Sequence, residues 1–320
     1  MSNRDVSILS GSRLIAVLLS TAVIGLPLRA ARAESAAPNC EAAISEMTRA
    51  SEARDAAAAR SVAAGASACD GVTRKWLDGN AARLCHNAAQ TVALPQTALR
   101  ARLEDCQTLG AYWPLAAALA DLAYERREFA LAAKRYDSAL SQIAEMPPDA
   151  KAPEARIIEA LIRQGDQARL LADGFIGSSR SSNGQVTGLG ALSTRSIVAA
   201  KRNLPIGFEY NQIRFTPDGE RAARELRDAL IAECRGPVKL IGHTDERGSD
   251  DYNLKLSRAR ALAVVDFLKA GGVGNSGPCA LSHDGVGESE PFEKDDATQY
   301  TQEDRYRLDR RAEILIGATP

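Results

Sequence analysis

Asp245 and Arg260 are the side chains whose types and spacing point most directly to chemistry in this chain of 320 residues. Asp245 lies in Gly-His-Thr-Asp-Glu-Arg-Gly, residues 242 to 248, a loop that leaves the short apolar run Val238 to Ile241. Arg260 follows 15 positions later, in a segment whose apolar residues Leu256, Ala263, Val264 and Phe267 recur at helical spacing. A carboxylate accepts from an ammonium, and a guanidinium grips a carboxylate through two parallel hydrogen bonds. An acid on a loop and a base on the helix that doubles back across the same sheet therefore suit a zwitterionic ligand better than a bond-breaking reaction. Taken alone, the commoner reading of such a pair is an exposed salt bridge, worth about 0–1 kcal/mol.

Catalytic readings find less support. His243-x-Asp245 has the look of a metal pair, but two ligands do not make a site. His86 and His283 are scattered, so a third ligand at sensible spacing is missing. Ser257 has no nearby histidine to activate it. Gly285-Val286-Gly287-Glu288-Ser289 lacks the lysine and helix start of a phosphate loop. No catalytic residue, metal ligand or cofactor is expected.

The elements that must position Asp245 and Arg260 can be read around them. Ile206, Phe208 and Tyr210 alternate as in a strand with one apolar face. Thr216-Pro217 offers a helix cap followed by proline at the first helical position. Ala223, Leu226 and Leu230 line one face of that helix until Cys234, and Gly236-Pro237 ends it. A second strand covers Val238 to Ile241, a helix runs from about Asp250 to Ala270 and stops at Gly271-Gly272, and further strands are expected at Cys279 to Val286 and Ala312 to Ile316. The order β-α-β-α-β-β predicts an α+β domain, a mixed sheet with helices on one face. The charged stretch from Pro291 to Asp309 reads as a solvated excursion with room for a short helix.

The pattern Thr244-Asp245-x-x-Gly248, then Tyr252-Asn253, then Leu256-Ser257-x-x-Arg260-Ala261 resembles that of the OmpA-like peptidoglycan-binding domain, T-D-x-x-G, Y-N and L-S-x-x-R-A. The resemblance covers about residues 204 to 317. It implies that Asp245 and Arg260 hold the free ammonium and carboxylate of meso-diaminopimelate in the peptidoglycan stem peptide. It also implies that Thr244, Asn253 and Leu256 form the pocket wall, with Gly248 supplying a backbone shape that a side chain would hinder. Phe208 and Tyr210 resemble the family's F-x-F start, with Asn211 where an aspartate is common. Asp309-Arg310-Arg311-Ala312-Glu313-Ile314 resembles the family's N-R-R-V-E-I strand, and Arg311 is read as either holding the ligand carboxylate or bracing the loop.

Upstream, residues 34 to 173 read as an all-α region rich in Ala and Leu and sparse in β-branched residues. The first segment, Cys40 to about Ala64, reads as one long thin helix, with others near Val72 to Gln90 and Thr97 to Leu109. Phe129-x-x-Ala132-x-x-x-Tyr136-x-x-Ala139-Leu140, preceded by the apolar run Leu115 to Tyr124, weakly resembles a tetratricopeptide hairpin. Tyr124 lies one position late for that pattern, and Arg127 replaces the glycine before the aromatic. Ile157 to Ala172 is read as a following helix pair turning at Gly165-Asp166, so that the repeat-like stretch spans about residues 115 to 173. A generic helical bundle is the alternative. Residues 174 to 197, rich in Gly, Ser, Thr and Asn, read as a flexible linker ahead of an OmpA-like domain at 198 to 320; the alternative is a partly ordered strand around Ile197 to Ala200.

Arg4 and Arg13, the uncharged run Leu14 to Leu28 and the small-x-small triplet Ala31-Arg32-Ala33 read as an export signal, residues 1 to 33, cleaved after Ala33. Ala37-Pro38-Asn39 before Cys40 is no lipobox. Loss of this leader changes the formal charge from −1 to −4, leaving 36 basic against 40 acidic side chains. That balance disfavours nucleic acid and anionic membranes as partners.

Six cysteines in an exported chain predict disulfides. Cys234 ends one helix and Cys279 begins a strand at the same end of the sheet, which pairs them. Cys40, Cys69, Cys85 and Cys106 leave three connectivities open. The resulting expectation is a periplasmic protein, outer-membrane associated only through partners, that binds the wall through one domain and an envelope protein through the other. The competing expectation is a periplasmic scaffold whose OmpA-like domain no longer binds wall.

Overall fold

The computed structural model describes residues 38–147, 150–180, 186–188, 193–194, 197–198, 201–234, 236–274, 279–292 and 299–317. The expected export leader and parts of the expected linker lie outside them. The described chain divides into two units, one ending at Leu122 and joined by a short piece around residues 146 to 151, the other built from residues 123 to 145 and 152 onward.

The first unit is helical. It comprises α1 (Pro38–Ala53), α2 (Ala56–Gly65), α3 (Gly71–Gln90), α4 (Gln96–Gln107) and most of α5 (Trp113–Glu125). The single long helix expected from Cys40 onward is broken. Arg54 takes a left-handed conformation (φ 55°), and the Asp55 side chain accepts from Ala57 N and Ala58 N to cap α2. Small alanines let α1, α2 and α3 close around Met47 and Leu77, both fully buried. Two disulfides secure these helices, Cys40–Cys69 across α1 and the α2–α3 turn, and Cys85–Cys106 between α3 and α4.

The second unit begins with the end of α5 and contains α6 (Phe129–Ala144) and α7 (Ala155–Leu171). The turn expected at Gly165-Asp166 is absent, because both residues serve a continuous α7. Gly165 lies against Tyr136 of α6, where a Cβ would sit 3.4 Å from the Tyr136 Cβ, and the Asp166 carboxylate receives a guanidinium. Two short antiparallel pairs follow, β1 (Ser179–Arg180) with β2 (Val186–Thr187) and β3 (Ser193–Thr194) with β4 (Ile197–Val198).

Next come β5 (Lys201–Leu204), α8 (Pro217–Glu233), β6 (Val238–His243), α9 (Asp250–Ala270), β7 (Leu281–Gly287), α10 (Gln302–Asp309) and β8 (Ala312–Ile316). The sheet order is β5-β8-β6-β7, with β6 parallel to β7 and β8 antiparallel to β5 and β6. This is the expected mixed α+β arrangement following a helical region. The first strand lies earlier than the alternation at Ile206, Phe208 and Tyr210 implies. Pro205 has no N–H to donate, so the ladder ends at Leu204. Ile206 then buries in the core and Phe208 bridges Phe215 across a tight loop.

The core lies between the sheet and helices α8 and α9, with Leu226, Leu230, Val264 and Leu268 meeting Leu204, Leu240 and Ile314. Thr216 caps α8 through its bond from Gly219 N, and Ser249 caps α9. Cys234, just past α8, is bonded to Cys279, just before β7. No helix among the described residues is long and apolar enough to cross a membrane.

Candidate functional site

Arg260 is placed by an unusually close approach of α9 to the sheet. A Cβ on Gly242 of β6 would stand 2.1 Å from Ser257 O, and one on Gly285 of β7 would stand 2.1 Å from Arg258 N. Only glycine fits at either strand position. Ser257, fully buried, fixes the register: its hydroxyl donates to Leu254 O at 3.0 Å and accepts from Gly287 N at 2.9 Å. The serine of the Leu-Ser-x-x-Arg pattern is thus a helix-to-sheet pin.

One turn further on, the Arg260 guanidinium reaches the loop between β5 and α8. Nε donates to Gln212 O at 3.0 Å and Nη2 to Glu209 O at 3.5 Å, while the group lies 5.1 Å from the centre of the Phe208 ring. These partners are backbone carbonyls and an aromatic face. Burial presses the pKa of Arg260 downward, and the nearby Arg310 charge acts in the same direction. A carboxylate arriving from outside would relieve both effects.

Beside Arg260 opens a cavity of about 100 Å³, lined among others by Phe208, His243, Val264, Arg310 and Arg311. Its wall holds three arginines and no carboxylate. His243 adds no positive charge at neutral pH: burial, helped by the Arg311 charge, pushes its pKa down to about 3, despite Glu313 Oε2 at 3.6 Å.

Asp245 stands beside this cavity rather than in its wall. Its Oδ1 accepts from Arg247 N at 3.1 Å, and its Oδ2 accepts from Arg247 Nη2 at 2.6 Å and Arg310 Nη1 at 2.7 Å. Burial alone would raise its pKa, but the hydrogen bonds from Arg247 and Arg310 outweigh it and hold the carboxyl below the usual range. Asp245 and Arg260 thus make no direct bond, and Arg310 stands between them as the shared neighbour. Arg247 is half-exposed and packs its guanidinium 4.5 Å from the centre of the Tyr306 ring.

The remaining expected residues divide by role. Asn253, buried at the start of α9, donates to Asp245 O at 3.3 Å and to the Glu288 carboxylate, tying the loop to the helix and to the end of β7. Gly248 has φ 123°, a conformation that side chains rarely adopt, and a Cβ there would press on the Asn253 amide at 3.2 Å. Thr244 is buried and bonds through its backbone, N to Gly287 O at 2.9 Å. Leu256 is half-buried and lies outside the cavity lining.

Arg311 is buried, and its guanidinium is bound to Asn203 Oδ1 at 3.1 Å and Glu290 O at 3.3 Å, with Glu313 at 3.7 Å. Those bonds brace the segment after β7. Arg310 is the residue the sequence reading left out. Its signal was the Arg-Arg dipeptide at the mouth of β8: neighbouring residues diverge there, so Arg310 meets Asp245 and Glu303 while Arg311 is bound inside. Among the described residues, no group of three or more His, Cys, Asp or Glu is arranged to hold a metal ion.

Comparison with known proteins places these features. Residues 207–305 match the model of the OmpA family. Outer membrane protein A of Klebsiella aerogenes is 37% identical over 86 residues, 26% of this chain and 24% of that protein. Outer membrane protein A of Shimwellia blattae is 34% identical over 116 residues, 34% of this chain and 46% of that protein. The chain therefore spans between a quarter and a half of the length of these curated relatives. Among solved structures, the peptidoglycan-associated lipoprotein of Burkholderia pseudomallei aligns with 37% of this chain and 91% of its own, at 25% identity and a TM-score of 0.30. The cell wall anchor of the T6SS from Pseudomonas aeruginosa aligns with 37% of this chain and 80% of its own, at 28% identity and a TM-score of 0.29. The C-terminal region of this chain, from Gly207 to Arg305, matches the OmpA family.

Proposed function

We propose that the C-terminal region binds peptidoglycan of the diaminopimelate type non-covalently, in the periplasm, and tethers the helical region to the cell wall. The observation that carries this reading is the cavity walled by three arginines and no carboxylate, with the ionised Asp245 beside it. The free end of meso-diaminopimelate carries an ammonium and a carboxylate on one carbon. Its carboxylate would dock on Arg260 and Arg310, where the guanidinium fork offers two parallel donors. Its ammonium would take the place of the half-exposed Arg247 guanidinium on Asp245. Arg311 and Asn253 hold the walls of the site, and Gly248 shapes its loop.

The outer membrane protein A and peptidoglycan-associated lipoprotein relatives agree with an envelope location. The helical unit α1–α5, fastened by two disulfides, would present the surface for an envelope protein partner. Co-sedimentation with purified sacculi tests the wall-binding reading. The full chain is expected in the pellet, and the Arg260→Ala variant in the supernatant. Equal recovery of both in the supernatant would favour a scaffold that does not touch the wall.

A further inference from the structure

The segment from Gln299 to Arg310 has contacts on two sides, and those toward the helices have no part in the binding-site account. Toward the site, Gln302 Nε2 donates to Glu246 Oε1 at 3.3 Å, Tyr306 carries the Arg247 guanidinium, and Glu303 accepts from Arg310 at 2.8 Å. Toward the helices, Arg127 Nη2 donates to both oxygens of Asp304, at 2.9 and 2.7 Å. The Tyr300 hydroxyl bonds that of Tyr124 at 3.0 Å and accepts from Gln167 Nε2 at 2.8 Å. Arg307 donates to Leu171 O at 3.2 Å. Helix α10 is therefore held between the α6–α7 hairpin and the two arginines that cover Asp245.

Arg127 is the revealing member of this clamp. Its φ is 62°, a left-handed conformation that favours glycine, and it occupies the place where the tetratricopeptide pattern has one. A long charged side chain in such a backbone persists where surrounding contacts hold it. Here the contact is with Asp304, which also caps α10 through a reciprocal bond pair with Thr301. Arg127 thus grips the acidic half of the capping box of α10.

We propose that Arg127 is a positioning residue for the wall-peptide site, coupling the α6–α7 hairpin to Asp245 and Arg310 through α10. The proposal rests on the wall-binding reading above. It implies reciprocity: peptide binding must stabilise the hairpin as much as the hairpin favours binding.

The test uses the full chain and a free stem tripeptide ending in meso-diaminopimelate, with calorimetric titration and hydrogen exchange of residues 129 to 171. Arg127→Asn removes the guanidinium while keeping a residue that tolerates positive φ. It is expected to weaken binding about fivefold or more, at the lower end of usual coupling strengths. Peptide should slow exchange in the hairpin of the unmodified chain and leave it unchanged in Arg127→Asn. Arg127→Lys, which retains the charge, should recover part of both effects. Tyr300→Phe loses one hydroxyl of the same clamp without disturbing packing, and should weaken binding two- to threefold (a fraction of the same coupling). Unchanged affinity in Arg127→Asn and Tyr300→Phe, in a chain that does bind the peptide, overturns the coupling and spares the binding site. Failure of the unmodified chain to bind overturns the binding reading, and the coupling with it.

Discussion

Two clusters of buried charge in the second unit are built from the same residue types and do different things. The first joins Asp137 of α6, Asp166 and Arg169 of α7, and Arg202 of β5. Arg202 Nε meets Asp166 Oδ2 at 2.9 Å, Arg169 pairs with Asp137, and Arg202 also donates to Gly188 O. Asp137 and Asp166 face Arg169 and Arg202, all at 3% side-chain exposure or less. The second cluster gathers Arg260, Arg310 and Arg311 around open space without a carboxylate in the wall. The first cluster fastens the hairpin to the edge of the sheet. In the second, Arg310 and Arg311 meet their carboxylates, Asp245, Glu303 and Glu313, outside the cavity wall, while Arg260 donates to carbonyls. Burial of charge alone therefore does not mark a binding site; the proposed ligand needs a guanidinium held by carbonyls beside open space.

The comparison is broken most sharply by exchanging the effects. Asp166→Ala should strip the buried Arg202 guanidinium of its two hydrogen bonds to a carboxylate, a loss of about 3 kcal/mol of stability in chemical denaturation. Wall-peptide affinity of the protein that remains folded should fall far less than in Arg260→Ala, by no more than the hairpin coupling.

Arg260→Ala should do the reverse. Loss of a hydrogen-bonded charge partner in the complex costs about 2–5 kcal/mol, or roughly 30-fold to several-thousand-fold in affinity. The denaturation midpoint should move little, since Arg260 gives up only two carbonyl bonds and a ring contact. Arg260→Lys should also bind poorly, because a point charge cannot reproduce the fork.

Stability should respond to acid through His243. Its folded pKa of about 3 lies below the unfolded value of 6.5, so between those pH values the unfolded chain takes up a proton that the folded chain refuses. The contribution is present above pH 6.5 and is lost as pH falls toward 3. From pH 8 to pH 5 this removes about 2 kcal/mol, and His243→Gln should flatten that part of the stability profile. Asp245, held below the usual carboxylate range, remains ionised over the same interval, so peptide affinity of the folded protein should stay nearly level.

A smaller effect is expected at Arg247. Removing the guanidinium that occupies Asp245 should tighten ammonium binding severalfold, about 1 kcal/mol, in titrations of Arg247→Ala.

Much of this second cluster was legible in the sequence because it rests on local patterns. Thr216-Pro217 starts a helix, Gly271-Gly272 follows the end of one, and the spacing from Thr244 to Ala261 places an acid and a base on elements that must meet. What the sequence did not reveal depends on partners remote in the chain. Asp166 looked like a turn residue beside Gly165, since nothing local announces that Arg202 will neutralise it. The resemblance singles out Arg311, and nothing local announces that the strand end sends Arg310 to Asp245. Arg54 and Arg127 carry positive φ where no glycine or asparagine warns of it. The first strand was misplaced because alternation at Ile206 to Tyr210 is as strong as in a real strand. Pro205 was the signal against it.

The central claim is that the arginine-walled cavity and Asp245 together recognise one zwitterionic carbon. Titration of the full chain with two stem peptides tests it most directly, one ending in meso-diaminopimelate and the other with lysine in its place. The lysine peptide keeps the ammonium and lacks the terminal carboxylate. Measurable binding of the first and a loss of about 2–5 kcal/mol for the second is the predicted result. Equal affinity for both peptides would mean that the cavity does not read the carboxylate, and would contradict the account.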